Sequence, residues 1–135
     1  MRDERKGFTL VELLLVVAII GMLAAMVVPR LVGRTEQAKV ARAKSDIAAI
    51  GLALDLYELD LGGYPASLES LVSTEAPKGQ EAGEWHGPYL KKGLPKDPWG
   101  RDYQYKHPSQ SGGGKDYDLS SFGSDGQPGD DDITN

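Results

Sequence analysis

Glu12 is the residue that demands most of its surroundings. Phe8 to Val28 is a 21-residue stretch in which only Thr9 and Glu12 are polar. A carboxylate at the centre of a membrane helix costs on the order of 2.5 to 3.5 kcal/mol, less near an interface, so an acid kept there has a partner. The junction Gly7-Phe8 offers one. Cleavage there would make Phe8 a new amino terminus, with an ammonium about one helical turn from Glu12. Within one chain the two charges could partly neutralise each other. Between chains they would set an axial stagger, because a buried charge that misses its partner is penalised by several kcal/mol. A second concentration of chemistry lies at the other end, where Asp125, Asp130, Asp131 and Asp132 sit among Gly123, Gly126 and Gly129. Hard oxygen donors on a backbone free to bend are what Ca²⁺ takes, with six to eight oxygens at about 2.3 to 2.6 Å. The order is not that of an EF-hand, since the D-x-[DN]-x-[DN]-G run and its closing glutamate are missing. Composition alone leaves a solvated acidic tail and an ion site equally open.

Four zones must position these residues. Met1 to Gly7 is a charged leader, in which Arg2, Arg5 and Lys6 outweigh Asp3 and Glu4. Phe8 to Val28 as a helix spans about 31 Å, the thickness of a bilayer core. Gly21 and Pro29 bracket a stretch where the helix is weakened, glycine by about 1 kcal/mol and proline by its missing N–H. From Arg30 to Leu61, the residues Val40, Ala43, Ile47, Ile50, Leu54, Tyr57 and Leu61 recur at spacings of three and four. They line one stripe of an amphipathic helix that needs a surface to pack on. Gly62-Gly63 and Pro65 end it. The rest holds seven of the eight prolines, so its elements are short. Ser67 to Ser73 predicts a short helix with Ser67 as N-cap and Leu68, Leu71 and Val72 facing inward. Tyr103–Lys106 and Tyr117–Phe122 predict strands joined by the loop SQSGGG. Pro95, Pro98 and Gly100 fix a turn around Asp97 and Trp99, with Trp99 expected as a core anchor. The expected fold class is α+β, a long N-terminal helix packed on a small antiparallel sheet.

The totals exclude several functions. The chain has 135 residues, room for one small domain beyond the apolar segment, with 15 basic and 20 acidic residues. Six aspartates between Asp116 and Asn135 face a single lysine, Lys115, the opposite of a nucleic-acid-binding face. Zero cysteines excludes disulfides, thiolate metal sites and thiol catalysis. His86 and His107 lack a neighbouring nucleophile or metal spacing and read as surface loop residues, so no catalytic residue is assigned and the chain is not expected to be an enzyme. For the N-terminus, a cleaved secretory signal would have a shorter apolar run without an acid. A plain anchor explains the length and leaves Glu12 unexplained. Arg30, Arg34, Lys39, Arg42 and Lys44 follow the span, so a simple count of flanking cations would place the downstream side in the cytoplasm.

KGFTLVE resembles the processing signal of type IV pilins and pseudopilins. In that superfamily a prepilin peptidase cuts after the glycine and methylates the new terminal phenylalanine, and the glutamate five residues into the mature chain directs assembly. The resemblance implies a leader at 1–7, cleavage between Gly7 and Phe8, N-methylphenylalanine at Phe8, and Glu12 as the assembly acid. It also implies a cytoplasmic leader, against the cation count, and a filament in which the segment from Gly21 to Pro29 is extended. GPYLKKGLPKDPWGRDYQY at 87–105, Tyr64-Pro65 and YDLSSFGSDGQPGDDDI at 117–133 resemble the major pseudopilins of type II secretion systems. That likeness implies calcium in the last loop, held by Asp125 and Asp132, which share the family's spacing of seven. Phe122, Gln127 and Asp130 would be the matching carbonyl or additional donors. The division that follows is leader 1–7, membrane and assembly helix 8–29, amphipathic helix 30–63 and periplasmic globular region 64–135. The implied function is a homopolymeric pseudopilus that aids export of folded proteins across the outer membrane. Its implied partners are minor pseudopilins, an inner-membrane assembly platform and the prepilin peptidase, with no nucleic acid. Two other readings stay open at this point: a type IV pilin, disfavoured by DPWG and the missing disulfide, and a membrane-tethered calcium-binding module that never polymerises.

Overall fold

The computed structural model of the chain describes residues 7–79 and 83–135, with the backbone alone described at 28–32. Leader residues 1–6 and the side chain of Pro29 therefore lie outside the described residues. One helix, α1 (Leu10–Leu61), carries both the apolar run and the amphipathic stripe. Its path is helical through Gly21 and through the backbone of Pro29. It starts two residues later than Phe8 because Thr9 serves as its cap. It stops at Gly62, whose φ of +76° takes the left-handed turn and whose N–H closes on the Glu58 carbonyl at 2.7 Å. Two compact units divide the chain, Met1–Gln37 and Ala38–Asn135.

In the first unit, Leu10–Val27 is long and apolar enough to cross a membrane, and among the described residues none of it is buried. Among the described residues, Phe8, Leu10, Leu14, Ile20 and Met26 are all exposed. Burial of such a surface must come from lipid or from another chain.

In the second unit the stripe of α1 builds the core. Ala43, Ile47, Ile50, Leu54 and Tyr57 are buried as the three-four spacing predicts, with Val40 and Leu61 packed at its rim. Ala53 joins them, one position that the stripe omitted. Facing them are Leu68 and Leu71 from the short helix Leu68–Leu71, and Tyr103, Leu119 and Ile133 from the sheet side. The short helix is 3₁₀, not α. Its bonds run from Ser70 N–H to the Ser67 carbonyl and from Val72 N–H to the Glu69 carbonyl, all that a four-residue segment can close. Val72 is only half-buried.

The sheet is antiparallel in the order β1 (Gln104–Lys106), β2 (Asp118–Ser121), β3 (Ile133–Thr134). Tyr105 pairs with Leu119, and Ser121 with Ile133. The first two strands fall inside the segments that alternation predicts. The third went unread, since two residues carry no period. Tyrosine hydroxyls tie the layers together: Tyr103 donates to Asp46 of α1 at 3.0 Å, Tyr105 to the Pro65 carbonyl at 2.8 Å, and Tyr89 to Asp60 of α1 at 2.6 Å. Burial and then the bond to Asp60 push the Tyr89 phenol up to about 12. Trp99 is half-buried at the edge of the core, beneath the Lys39 ammonium 6.0 Å from its ring, and so is a rim residue instead of a central anchor.

Candidate functional site

At the start of α1, Thr9 and Glu12 cap each other. The Glu12 N–H donates to Thr9 Oγ1 at 3.2 Å. Glu12 Oε2 accepts from the Thr9 N–H at 2.9 Å and from the Thr9 hydroxyl at 3.0 Å. This is the reciprocal Thr-x-x-Glu capping box, which satisfies backbone donors that a helix start leaves bare. The signal for it in the sequence is the three-residue spacing of Thr9 and Glu12, which the expectation of an interchain partner does not use. Phe8, 87% exposed, lies just before this cap and outside the helix, four positions from Glu12 in the sequence. Gly21 lies within the helix with open space where a Cβ would be.

The acidic loop is the connection between β2 and β3, so the ladder fixes both its ends. Asn135 tightens the closure: its N–H donates to the Leu119 carbonyl at 3.0 Å, and its Oδ1 accepts the Leu119 N–H at 3.1 Å. Within the loop, Asp125 Oδ1 accepts the Gln127 N–H at 2.9 Å, and the Phe122 carbonyl accepts the Gly126 N–H at 3.3 Å. Asp132 Oδ1 is buried with no hydrogen-bond partner. Asp130 is exposed. Asp131 turns into the loop: a Cβ on Gly123 would stand 3.0 Å from its Oδ2, and one on Gly129 3.2 Å from its Oδ1.

Calcium can be tested against these residues. Among the described residues no three His, Cys, Asp or Glu side chains gather closely enough to hold a metal. An ion here would rest on two carboxylates completed by backbone carbonyls, a donor mixture natural to Ca²⁺. The orphaned Asp132 oxygen is the observation in its favour, since a buried carboxylate oxygen without a donor is costly unless a cation meets it. The residues present fit a hard cation.

The floor beneath the loop is built by the DPWGR turn. Asp97 is 4% exposed, and its carboxylate is fully used. Its Oδ1 accepts the N–H groups of Trp99 at 3.1 Å and Arg101 at 2.8 Å, and Oδ2 accepts the Ser121 hydroxyl at 2.7 Å. Ser121 Oγ in turn accepts the Gly123 N–H at 3.3 Å. Arg101 reaches the loop directly, donating to the carbonyls of Gly123 at 2.7 Å and Ser124 at 3.4 Å. Neither Asp97 nor Arg101 stood out as a loop-holding residue in the sequence. His86 and His107 are exposed, His86 with Nδ1 3.2 Å from Asp60.

The model of the family described as "Type II secretion system (T2SS), protein G" matches residues 30–135, and the prokaryotic N-terminal methylation motif matches residues 2–28. The type II secretion system core protein G of Pseudomonas aeruginosa is 47% identical over 131 residues, 95% of this chain and 89% of that protein. The core protein G of Escherichia coli is 46% identical, covering 98% of this chain and 92% of that one, and that of Vibrio cholerae is 45% identical, covering 96% and 88%. The crystal structure of the major pseudopilin from the type 2 secretion system of enterohaemorrhagic Escherichia coli superposes with a TM-score of 0.63 at 36% identity. It covers 76% of this chain and 87% of that one.

Proposed function

We propose, for a chain that belongs to the type II secretion system protein G family and is a membrane-anchored pseudopilus subunit of that system, how its two ends serve assembly. The chain is cut between Gly7 and Phe8 and methylated at Phe8. Glu12 then exchanges its own Thr9 cap for the ammonium of a neighbouring copy, and this pairing sets the stagger of a homopolymer. The subunit sits in the inner membrane through residues 8–29, with its globular region in the periplasm. It works with minor pseudopilins, an inner-membrane platform and the prepilin peptidase. In the filament the stretch between Gly21 and Pro29 extends.

The observation that carries this reading is the uncovered apolar surface of Leu10–Val27 with one carboxylate in its first turn. Such a surface needs a partner, and the acid gives the partner a register. The intact mass of protein extracted from membranes tests the processing step. Loss of the first seven residues plus one methyl group is expected, and an uncut chain would refute it.

The loop at 122–132 takes Ca²⁺ through Asp125 and Asp132, with Phe122, Gln127 and Asp130 as carbonyl or additional donors. A bound Ca²⁺ would supply the positive charge that the Asp125 and Asp132 carboxylates lack, the orphaned Asp132 Oδ1 among their oxygens. Asp125→Ala and Asp132→Ala are expected to lower the melting temperature much more in calcium than in chelator, where Asp125→Ala loses only its bond from the Gln127 N–H. Melting curves that match the parent in both conditions would remove the ion from the account.

A further inference from the structure

Arg101 holds the acidic loop in a way that neither processing nor ion binding requires. Its main chain is pinned at both polar groups, the N–H on Asp97 Oδ1 and the carbonyl on the Asp97 N–H at 2.8 Å. The guanidinium therefore leaves from a fixed base and reaches 22 and 23 positions along the chain to the carbonyls of Gly123 and Ser124. It also lies flat against Gly126: a Cβ there would fall onto the guanidinium carbon and nitrogens. Gly126 adopts φ +73°, a turn that disfavours any side chain there, and a Cβ would also displace the guanidinium from its present place. Those bonds engage the carbonyls of Gly123 and Ser124 and none of the groups expected to meet an ion, Asp125, Asp132 and the carbonyls of Phe122 and Gln127.

We propose that Arg101 is a positioning residue for the cation loop: its planar fork fastens the Gly123–Ser124 carbonyls and pre-forms the Gly126 turn before any ion arrives. The calcium half of this statement rests on the reading of the loop as a Ca²⁺ site; the ordering half does not. Two effects oppose each other in the arginine. Its charge repels a divalent cation, but at the loop surface that repulsion is weakened by water and salt. Its fork spares the ion the entropy of ordering several glycine-flanked residues, and this is the larger effect, worth about tenfold in calcium affinity.

The test uses the full chain in detergent micelles, as parent, Arg101→Ala, Arg101→Lys and Asp125→Asn. In chelator, amide exchange at Gly126 and Gln127 and proteolytic nicking within 122–132 should both quicken about tenfold in Arg101→Ala, while exchange at Leu119 and Ile50 stays at the parent rate. Arg101→Lys, which keeps the charge and loses the fork, should behave like Arg101→Ala. Calcium titration should then show both variants binding about tenfold more weakly than the parent. Asp125→Asn should lose the titration and keep the parent's exchange in chelator. Parent-like exchange in Arg101→Ala, parent-like behaviour of Arg101→Lys, or tighter calcium binding without the arginine would each overturn the proposal. A parent that binds no calcium would refute the ion reading, and the chelator arm would still decide the role of Arg101.

Discussion

Glu12 and Asp97 are both acids in places where acids are expensive, and they are kept for different reasons. Asp97 is satisfied entirely within the fold, by two main-chain N–H groups and the buried Ser121 hydroxyl. Asp97→Ala would strand those donors and should cost about 2 to 4 kcal/mol in chemical unfolding of the globular unit. Among the described residues Glu12 has the Thr9 cap alone, which uses one of its oxygens. That leaves the residue able to take a second partner. Asp118 is a third case. The hydroxyls of Ser111 and Ser109 and the N–H groups of Gln110 and Ser111 all donate to it. These bonds, Ser111 first, hold its carboxyl below the ordinary 3.8. A lowered folded pKa gives stability that is present above 3.8 and lost as pH falls toward the folded value. Asp118→Asn should therefore lower the melting temperature at neutral pH, with the gap to the parent closing on acidification below 3.8. A gap that stays constant down to strongly acid pH would contradict this.

At the scale of elements, α1 does two jobs along its length, and the change shows in which residues are covered. Leu54 is fully buried beneath the sheet, and Leu54→Ala should cost about 2 to 5 kcal/mol by urea unfolding. Leu59, 75% exposed on the same helix, should tolerate alanine with little loss. The stripe from Val40 to Leu61 was legible because seven apolar residues keep helical spacing over six turns, and no strand can imitate that. The strands at 104–106 and 118–121 were legible from alternation between glycine-rich turns. β3 was not, because its place is decided by Ser121 across the loop and by no pattern of its own. The same limit hid the loop's support. Asp97 lies 24 positions from Ser121 and Arg101 22 from Gly123, so only the folded chain brings them together. The Thr9–Glu12 box was within reach of spacing alone. The apolar setting of Glu12 points to a partner in another chain, and the folded chain supplies a first one three residues back.

For the whole molecule, the two ends divide the work. The globular unit is held by its own core and by a C-terminal loop with one orphaned carboxylate oxygen. Among the described residues the apolar segment Leu10–Val27 is left exposed. A pseudopilus subunit needs both, a folded body that survives outside the filament and an apolar surface that lipid or neighbouring copies can cover. Separating them experimentally is the most direct test. Glu12→Ala, compared with the parent in a host that assembles pseudopili, should yield processed, membrane-held protein whose globular unit melts as the parent does and which forms no filaments. Filaments of normal length and number from the Glu12→Ala chain would contradict the claim that this acid sets the register.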